Sequence, residues 1–454
     1  MKKKRISELQ HDFFLTKTTY DVSFRLESLN KLYNSIRNNE KKIYNALKKD
    51  LNKSQYESYI TEIGIIYSEI SYIKKHLKRW AKPSFIPSSL AILPGICREY
   101  HEPYGTVLII SPWNYPILLC LQPLIGAIAA GNCAVIKPSE LAPHTSSVIA
   151  TIIKECFPEK YITVEEGGKE KSEELLKSKF DFIFYTGSER IGKIVMKYAA
   201  ENLTPVCLEL GGKSPCIVDN TADLKRAARR IAFGKILNAG QTCVAPDYLF
   251  VHSSVKQKLI ELIIQEIEKT ISNNPLEYND YPSIINEHHT ERLKSFMTEG
   301  NIIYGGKTSD RRIEPTLLDE LTLDSKIMKE EIFGPLLPIF TYENINEVID
   351  YINSNPKPLA LYVFSRNKNN IKKVITKTSF GGGCINDTVM HVASHHMRFG
   401  GVGNSGIGNY HGKHSYELFS HKKDIMKQTN LIDLPLRYHP YNKKKYNIMK
   451  NIIK

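Results

Sequence analysis

VLIISPWNYPILLCLQPLIGAIAAGNCAVI, residues 107–136, contains no charged side chain and is long enough to cross a bilayer. Pro112, Pro116 and Pro123, with Asn114 and the pair Gly131 and Asn132, punctuate it into strand, loop, helix and strand. Parallel strands buried on both faces read as continuous apolar runs. The stretch is therefore read as the buried centre of an α/β domain rather than as a membrane span.

The same rhythm runs outward in both directions. Apolar runs at 107–111, 134–137, 162–165, 180–185 and 206–210 predict strands, and the segments 118–130, 146–157, 170–178 and 191–201 between them predict helices. Upstream, Leu29, Leu32, Ile36, Ile43 and Leu47 recur at helical spacing in a helical region over 21–81, closed by Pro83 and Pro87. Beyond Gly211, helices at 222–238, 255–271, 345–354 and 368–378 alternate with strands at 248–251, 337–341, 359–364 and 383–385. Two α/β lobes joined near Gly211 and Gly212 is the simplest arrangement. After about residue 409 the rhythm stops, which predicts an arm or a surface tail.

Composition narrows the class. With 42% hydrophobic and 24% charged residues, the 454-residue chain is neither disordered nor collagenous, and it buries enough surface to need no disulfide framework. Its eight cysteines form no C-x-x-C and no zinc-finger spacing, so they are read as reduced thiols, mostly in the core. The net charge is +14, and half of it lies in 421–454, where nine basic residues face Asp424 and Asp433. Lys2–Arg5 adds four more positive charges. These clusters are read as solvated surface, not as a nucleic-acid site or a peripheral membrane contact. Residues 6–11 are too polar for a signal-peptide core, and the expected location is the cytoplasm.

Two glycine motifs mislead. Gly401-x-Gly403-x-x-Gly406 spells the dinucleotide fingerprint, but Gly406, Gly408 and Gly412 deny it the helix that must follow. The stretch from Gly187 to Lys193 follows a strand and opens a helix, yet Ile194 stands where a triphosphate loop needs Ser or Thr. A strand–Gly-Ser–helix turn still offers N–H groups and a positive helix end to a phosphate, which leaves Gly187, Ser188 and Gly192 as candidates for a pyrophosphate. Glu189 suits the helix end but repels a phosphate. His391, His395, His396, His411 and His414 lack acid or cysteine partners at ligand spacing, and no metal is expected.

Three residues carry chemistry only as a set. Cys243, in Gly240-Gln-Thr-Cys243 after a helix and before a Pro-Asp turn, is a candidate accessible thiol. Glu209 ends an apolar strand, where burial raises a carboxyl pKa toward base work. Asn114 follows a strand and offers an amide to a developing oxyanion. Each alone reads equally well as a packing, strand-end or turn residue.

The ordered set of motifs resembles the aldehyde dehydrogenases: Ser111-Pro-Trp-Asn-Tyr-Pro116, Lys137-Pro-Ser-Glu140, Tyr185-Thr-Gly-Ser188, Leu208-Glu-Leu-Gly-Gly-Lys213, Gly240-Gln-Thr-Cys243 and Glu331-Ile-Phe-Gly-Pro335. Gly400-Gly-Val-Gly-Asn-Ser-Gly406, Tyr410-His-Gly-Lys413 and Phe419-Ser-His421 resemble the class 3 and fatty aldehyde branch. The likeness spans roughly 19–421.

The resemblance implies an α/β aldehyde dehydrogenase-like fold. It would place a Rossmann-like NAD(P)-binding domain at 1–81 and 99–210, an α/β catalytic domain at 211–408, and an oligomerisation arm with a basic tail at 82–98 and 409–454. It implies oxidation of medium- or long-chain aliphatic or aromatic aldehydes to acids with NAD or NADP. In those roles Cys243 is the nucleophile, Asn114 with the Cys243 N–H the oxyanion hole, and Glu209 the residue that activates water. Lys137 and Glu140 match contacts to the adenosine ribose, Gly187 and Ser188 the turn by the pyrophosphate, and Glu331 and Phe333 the nicotinamide side. The short N-terminal region resembles dimeric relatives and implies a homodimer. A CoA-acylating enzyme is the nearest rival, opposed by Glu209; a non-catalytic binding protein has no need of all three catalytic residue types.

Overall fold

The computed structural model describes residues 5–89, 92–272 and 274–453, so Lys2–Lys4 of the basic N-terminus lie outside the described residues. Residues 107–136 form strand Thr106–Ile110, a proline-rich loop, the fully buried helix Leu118–Ala130 and strand Cys133–Lys137. No helix among the described residues is long and apolar enough to cross a membrane.

The first sheet has six strands in the order Gly406–Ile407, Val206–Glu209, Phe182–Thr186, Thr106–Ile110, Cys133–Lys137, Ile162–Val164, parallel except at its first pair. Chain order moves outward from Thr106–Ile110 on one side, then resumes at Phe182–Thr186 on the other. The crevice outside the carboxyl ends of these two strands is where open α/β sheets bind ligands. The second sheet has seven strands, ordered Asn301–Tyr304, Thr316–Asp319, Leu336–Tyr342, Tyr248–His252, Pro215–Val218, Ala360–Phe364, Gly382–Ile385, with only the first pair antiparallel.

Three strands, Ser84–Ile86, Ile96–Pro103 and Ser420–Lys427, make a separate antiparallel sheet. Two of them depart from the sequence reading. The strand beginning at Ile96 runs on to Pro103, past the boundary expected at 98. Ser420–Lys427 lies in the segment read as having no rhythm. Ser420–Lys427 is exposed beyond Ser420 and Ile96–Pro103 is mostly only partly buried, and both are rich in charge, with Lys423 paired to Glu102, so no fully buried face imposes apolar alternation. The glycine-rich loop also has a structural place. Its Gly406–Ile407 segment pairs antiparallel to Leu208 and Glu209, and a Cβ at Gly408 would press on the Cys207 sulfur.

A helical layer from the N-terminal region covers the first sheet. Helix Val22–Leu51, capped by Asp21 and ended by left-handed Asn52, packs on Pro143–Cys156, whose first turn is capped by the Asp50 carboxylate through Thr145. Gly64–Trp80 packs on Leu118–Ala130. Between these long helices, Tyr59–Ile63 is a π turn in which the Gly64 N–H reaches the Tyr59 carbonyl. Such one-turn insertions gather at functional sites.

The layer is tied down by a dry ion pair. Lys53 Nζ meets Glu62 Oε1 at 2.7 Å with both side chains wholly buried. Glu62 Oε2 accepts from the N–H groups of Ile117 and Leu118, at 2.9 and 3.1 Å, at the positive end of the central helix. Lys53→Met leaves Glu62 as an uncompensated buried charge. It is expected to cost about 3–5 kcal/mol in a urea titration, and a loss below ~1 kcal/mol would show that the pair does not anchor the layer.

Candidate active site

Four strand ends of the first sheet deliver the candidate residues. Ile110 leads into Ser111–Asn114; Lys137 ends its own strand, and its carbonyl accepts from the Ser111 N–H at 3.1 Å. Thr186 leads to Gly187, whose N–H donates to the Glu209 carbonyl at 3.0 Å. Glu209 closes the fourth strand.

The candidate cofactor contacts fall along this rim. Lys137, buried but for its tip, donates from Nζ to Glu140 Oε2 at 2.6 Å, and Glu140 remains half exposed. Ser188 precedes helix Glu189–Glu201 and makes no side-chain capping bond, so the first-turn N–H groups have no acceptor from the cap. A Cβ at Gly187 would strike the Tyr185 hydroxyl, and one at Gly192 would strike Leu210. Backbone rather than side chain therefore faces outward at the turn. Glu189 is drawn aside, with Lys193 Nζ and Asn404 Nδ2 each 2.8 Å from its carboxylate. Its charge is thus partly neutralised, and the helix N-terminus keeps its attraction for a phosphate.

Glu331 and Phe333 come from the second lobe. Arg292 donates to the carbonyls of Glu331 and Ile332, and Asp247, paired with Lys213, accepts from the Ile332 N–H. So held, Phe333 sits at φ +50°, a strained conformation for an aromatic residue, with its ring edge-on to Trp113. The Glu331 carboxylate lies against Gly211, where any Cβ would displace it.

Cys243 follows a turn, Leu237–Gly240, in which Asn238, Ala239 and Gly240 all have left-handed φ, +53°, +50° and +73°. Gly240 packs directly on the Gly334 carbonyl, leaving no room for a side chain. Asn114 meets this turn twice. Its amide Nδ2 donates to the Gln241 carbonyl at 3.1 Å, and its backbone carbonyl accepts from Asn238 Nδ2 at 2.9 Å. Gln241 is fixed in turn by the Asn238 and Ser283 carbonyls and the Ile285 N–H. Tyr115 shares a hydrogen bond with Thr242.

Sequence reasoning missed the groups behind this contact. Lys53 Nζ also reaches the Asn114 carbonyl at 3.2 Å and lies 4.2 Å from the centre of the Tyr115 ring. Glu57 accepts from the Asn238 N–H. One signal was available: Glu62 interrupts the apolar run around Ile60, Ile63 and Ile66, and a carboxylate there calls for a buried partner.

The electrostatics suit a resting site. Burial raises the Glu209 carboxyl well above the usual range; Oε2 has no partner and Oε1 accepts only weakly from the Cys207 thiol, 3.8 Å away. Burial, then the charges of Glu331 and Glu209, push the half-buried Cys243 thiol up, opposed by the N–H groups of Cys243 and Val244. Glu331 is raised to about 8 by burial and by Asp247. Tyr410 is within electrostatic reach of Glu209, Cys243 and Glu69. Glu69, itself raised to about 7 by burial, lines a cavity of about 140 Å³ with Gln122, Ile65, His395 and His411. The histidines are absorbed into packing: His411 stacks on Phe399, and His395 and His396 lie against Tyr72.

Comparison with known proteins fits this geometry. Residues 13–425 match the model of the Aldehyde dehydrogenase family. The chain is 49% identical over 446 residues to the 4,4'-diaponeurosporen-aldehyde dehydrogenase of Staphylococcus aureus, covering 97% of both chains. It is 43% identical over 426 residues to a canine aldehyde dehydrogenase described as dimeric and NADP-preferring, covering 93% of this chain and 94% of that one. A solved structure described as the substrate-bound state of Staphylococcus aureus AldH superposes with a TM-score of 0.97 at 48% identity, over 100% of both chains.

Alkylation of the free enzyme's thiol tests the electrostatic reading. With Glu331 ionising near pH 8, Glu331→Gln removes a negative charge from the thiol's surroundings only above that pH. Iodoacetamide trapping of Cys243 should then quicken ~3-fold or more at pH 9 and change little at pH 6.5. Equal rates at both pH values would remove Glu331 from the thiol's environment.

Proposed function

This chain belongs to the aldehyde dehydrogenase family and oxidises aldehydes with a nicotinamide cofactor; on that premise we propose that Cys243, Asn114 and Glu209 carry the reaction. The observation that carries the assignment is the double tie of Asn114 to the turn preceding Cys243. That tie supports reading Asn114 as an amide donor near Cys243, although 129 positions separate them in the chain numbering, from 114 to 243.

The Cys243 thiolate attacks the carbonyl carbon, forming an S–C bond and an oxyanion. A primary amide has two N–H groups, and Asn114 spends one on Gln241, so the second is free to meet the oxyanion together with the Cys243 N–H. When bound, a nicotinamide would accept the hydride that leaves the thiohemiacetal carbon. Collapse of the thiohemiacetal then leaves a thioester on Cys243. Glu209 takes a proton from water, the resulting hydroxyl attacks the thioester carbon, the S–C bond breaks and the acid leaves. Burial holds the Glu209 carboxyl pKa above the usual range in the resting site. Admission of the hydrolytic water hydrates the carboxyl and lowers that pKa toward the working range.

The rim fits a dinucleotide. Free N–H groups at Ser188–Glu189, the half-exposed Glu140 beside Lys137, and Glu331 with Phe333 would hold its pyrophosphate, adenosine ribose and nicotinamide sides. A carboxylate at Glu140 favours a ribose hydroxyl over a phosphate, which supports NAD; the NADP-preferring relative supports use of both. We assign the six-stranded lobe to the cofactor, the seven-stranded lobe to catalysis and the three-stranded sheet to dimerisation, in a cytoplasmic homodimer. The staphylococcal relative's named aldehyde supports medium- or long-chain aldehydes. The tail carries helix Lys443–Ile452, which buries none of its residues, and we read it as solvated.

The expected outcomes follow from the roles. Cys243→Ala abolishes NAD(P)H formation, and Asn114→Ala lowers kcat ~10²–10³-fold. Glu209→Gln lowers steady-state kcat ~10²-fold or more while sparing a single-turnover burst, because only deacylation needs the base. Wild-type rates should rise with aldehyde chain length without CoA. Turnover only with CoA, giving an acyl-CoA, would instead move the protein to the acylating branch.

A further inference from the structure

We infer that Glu57 is a positioning residue of this reaction, holding the turn before Cys243, and through it Asn114, in register for attack. The inference rests on the roles proposed for Cys243 and Asn114. Glu57 lies in the short helix Gln55–Ser58, where Ser54 caps its N–H, and the π turn Tyr59–Ile63 follows directly. Glu57 and Glu62 are five residues apart, which regular α-helical spacing would turn toward different sides. Across the wider π turn, with its i→i+5 bond, Glu57 reaches the Asn238 turn while Glu62 reaches the start of the central helix, and Asn238 and Lys53 then meet at the Asn114 carbonyl.

Glu57 Oε1 accepts from the Asn238 N–H at 2.7 Å. Asn238 opens the left-handed run that continues through Ala239 to Gly240. Left-handed backbone costs roughly 1–2 kcal/mol per residue with a side chain, and such strain persists only where the surroundings over-determine it. The short bond from Asn238 to the Glu57 carboxyl oxygen supplies one such constraint from outside the turn. The Asn238 side chain then passes the constraint on, donating to the carbonyls of Asn114 at 2.9 Å and of Gln241 at 3.1 Å. Gln241 in turn accepts the Asn114 amide. Lys53 closes the circuit on the other side of the Asn114 carbonyl. Glu57 thus touches neither substrate nor thiol, but it fixes the backbone from which both catalytic groups are hung.

A double-mutant cycle tests this, using the full-length enzyme with one aldehyde and saturating cofactor. Glu57→Ala is expected to lower kcat ~10–100-fold, as small misplacements of reacting groups do, with cofactor KM held within ~2-fold. In an Asn114→Ala background the same change should lower kcat less than ~3-fold, because the two act as a unit. Glu57→Gln, which keeps an acceptor oxygen at the same place, should restore most of the activity. If Glu57→Ala does not fold, Glu57→Met, of similar size without an acceptor, takes its place in the cycle. Wild-type kcat in the single variant, a full loss repeated in the Asn114→Ala background, or a Gln variant as slow as the Ala variant would each overturn the inference. Wild-type kcat in Asn114→Ala alone would instead overturn the reading of Asn114 on which it rests.

Discussion

The ion pair between Lys53 and Glu62 is the constraint on which the geometry around Asn114 and the candidate site depends. Two charges with no solvent exposure are tolerated only if every remaining valence is used. Glu62 spends its second oxygen on the first turn of the central helix, and Lys53 spends further contacts on the Asn114 carbonyl and the Tyr115 ring. The helical layer, the helix Leu118–Ala130 and the loop carrying the candidate oxyanion donor are therefore one unit. A charge pair of this kind contributes little net stability. Its value here is geometric, since a slipped helix would leave a buried ion without a partner.

Within the second lobe, the Glu331–Pro335 loop closes on the turn before Cys243 and on the lobe junction where side chains are missing. Gly240 lies on the Gly334 carbonyl, and Gly211 lies on the Glu331 carboxylate. At the first place two backbones meet and at the second a backbone meets a carboxylate, each so closely that a Cβ would clash, and three stretches far apart in sequence come together. Lys213 with Asp247, and Arg292 with the Glu331 and Ile332 carbonyls, hold the Glu331–Pro335 loop at that distance. Lys213 belongs to a recognisable motif, and its structural partner explains why a lysine stands there.

Much of this was legible. The alternating apolar runs predicted the parallel strands other than Pro215–Val218 and Thr316–Asp319 within one or two residues, because strands buried on both faces leave a continuous apolar signature. The strands at Ile96–Pro103 and Ser420–Lys427 were not legible, because an exposed sheet rich in lysine and glutamate carries no such signature. Pro215–Val218 is short and opens on a proline, so it too passed unnoticed although it lies in the interior of the seven-stranded sheet. Cys243, Glu209 and Asn114 were visible as an ordered motif set, but each alone was ambiguous.

By itself the sequence determined the α/β class, the strand ends at which ligands would bind and the identities of a thiol, a carboxyl and an amide suited to covalent aldehyde chemistry. Periodicity and motif order are local properties, and they survive in one dimension. Tertiary structure alone decided that Lys53, Glu57 and Glu62 stand behind that chemistry, and that Glu189 is held off the phosphate end by Lys193 and Asn404. Those facts depend on which charged groups lose their water together. Burial is a property of the packed chain and has no period along the sequence.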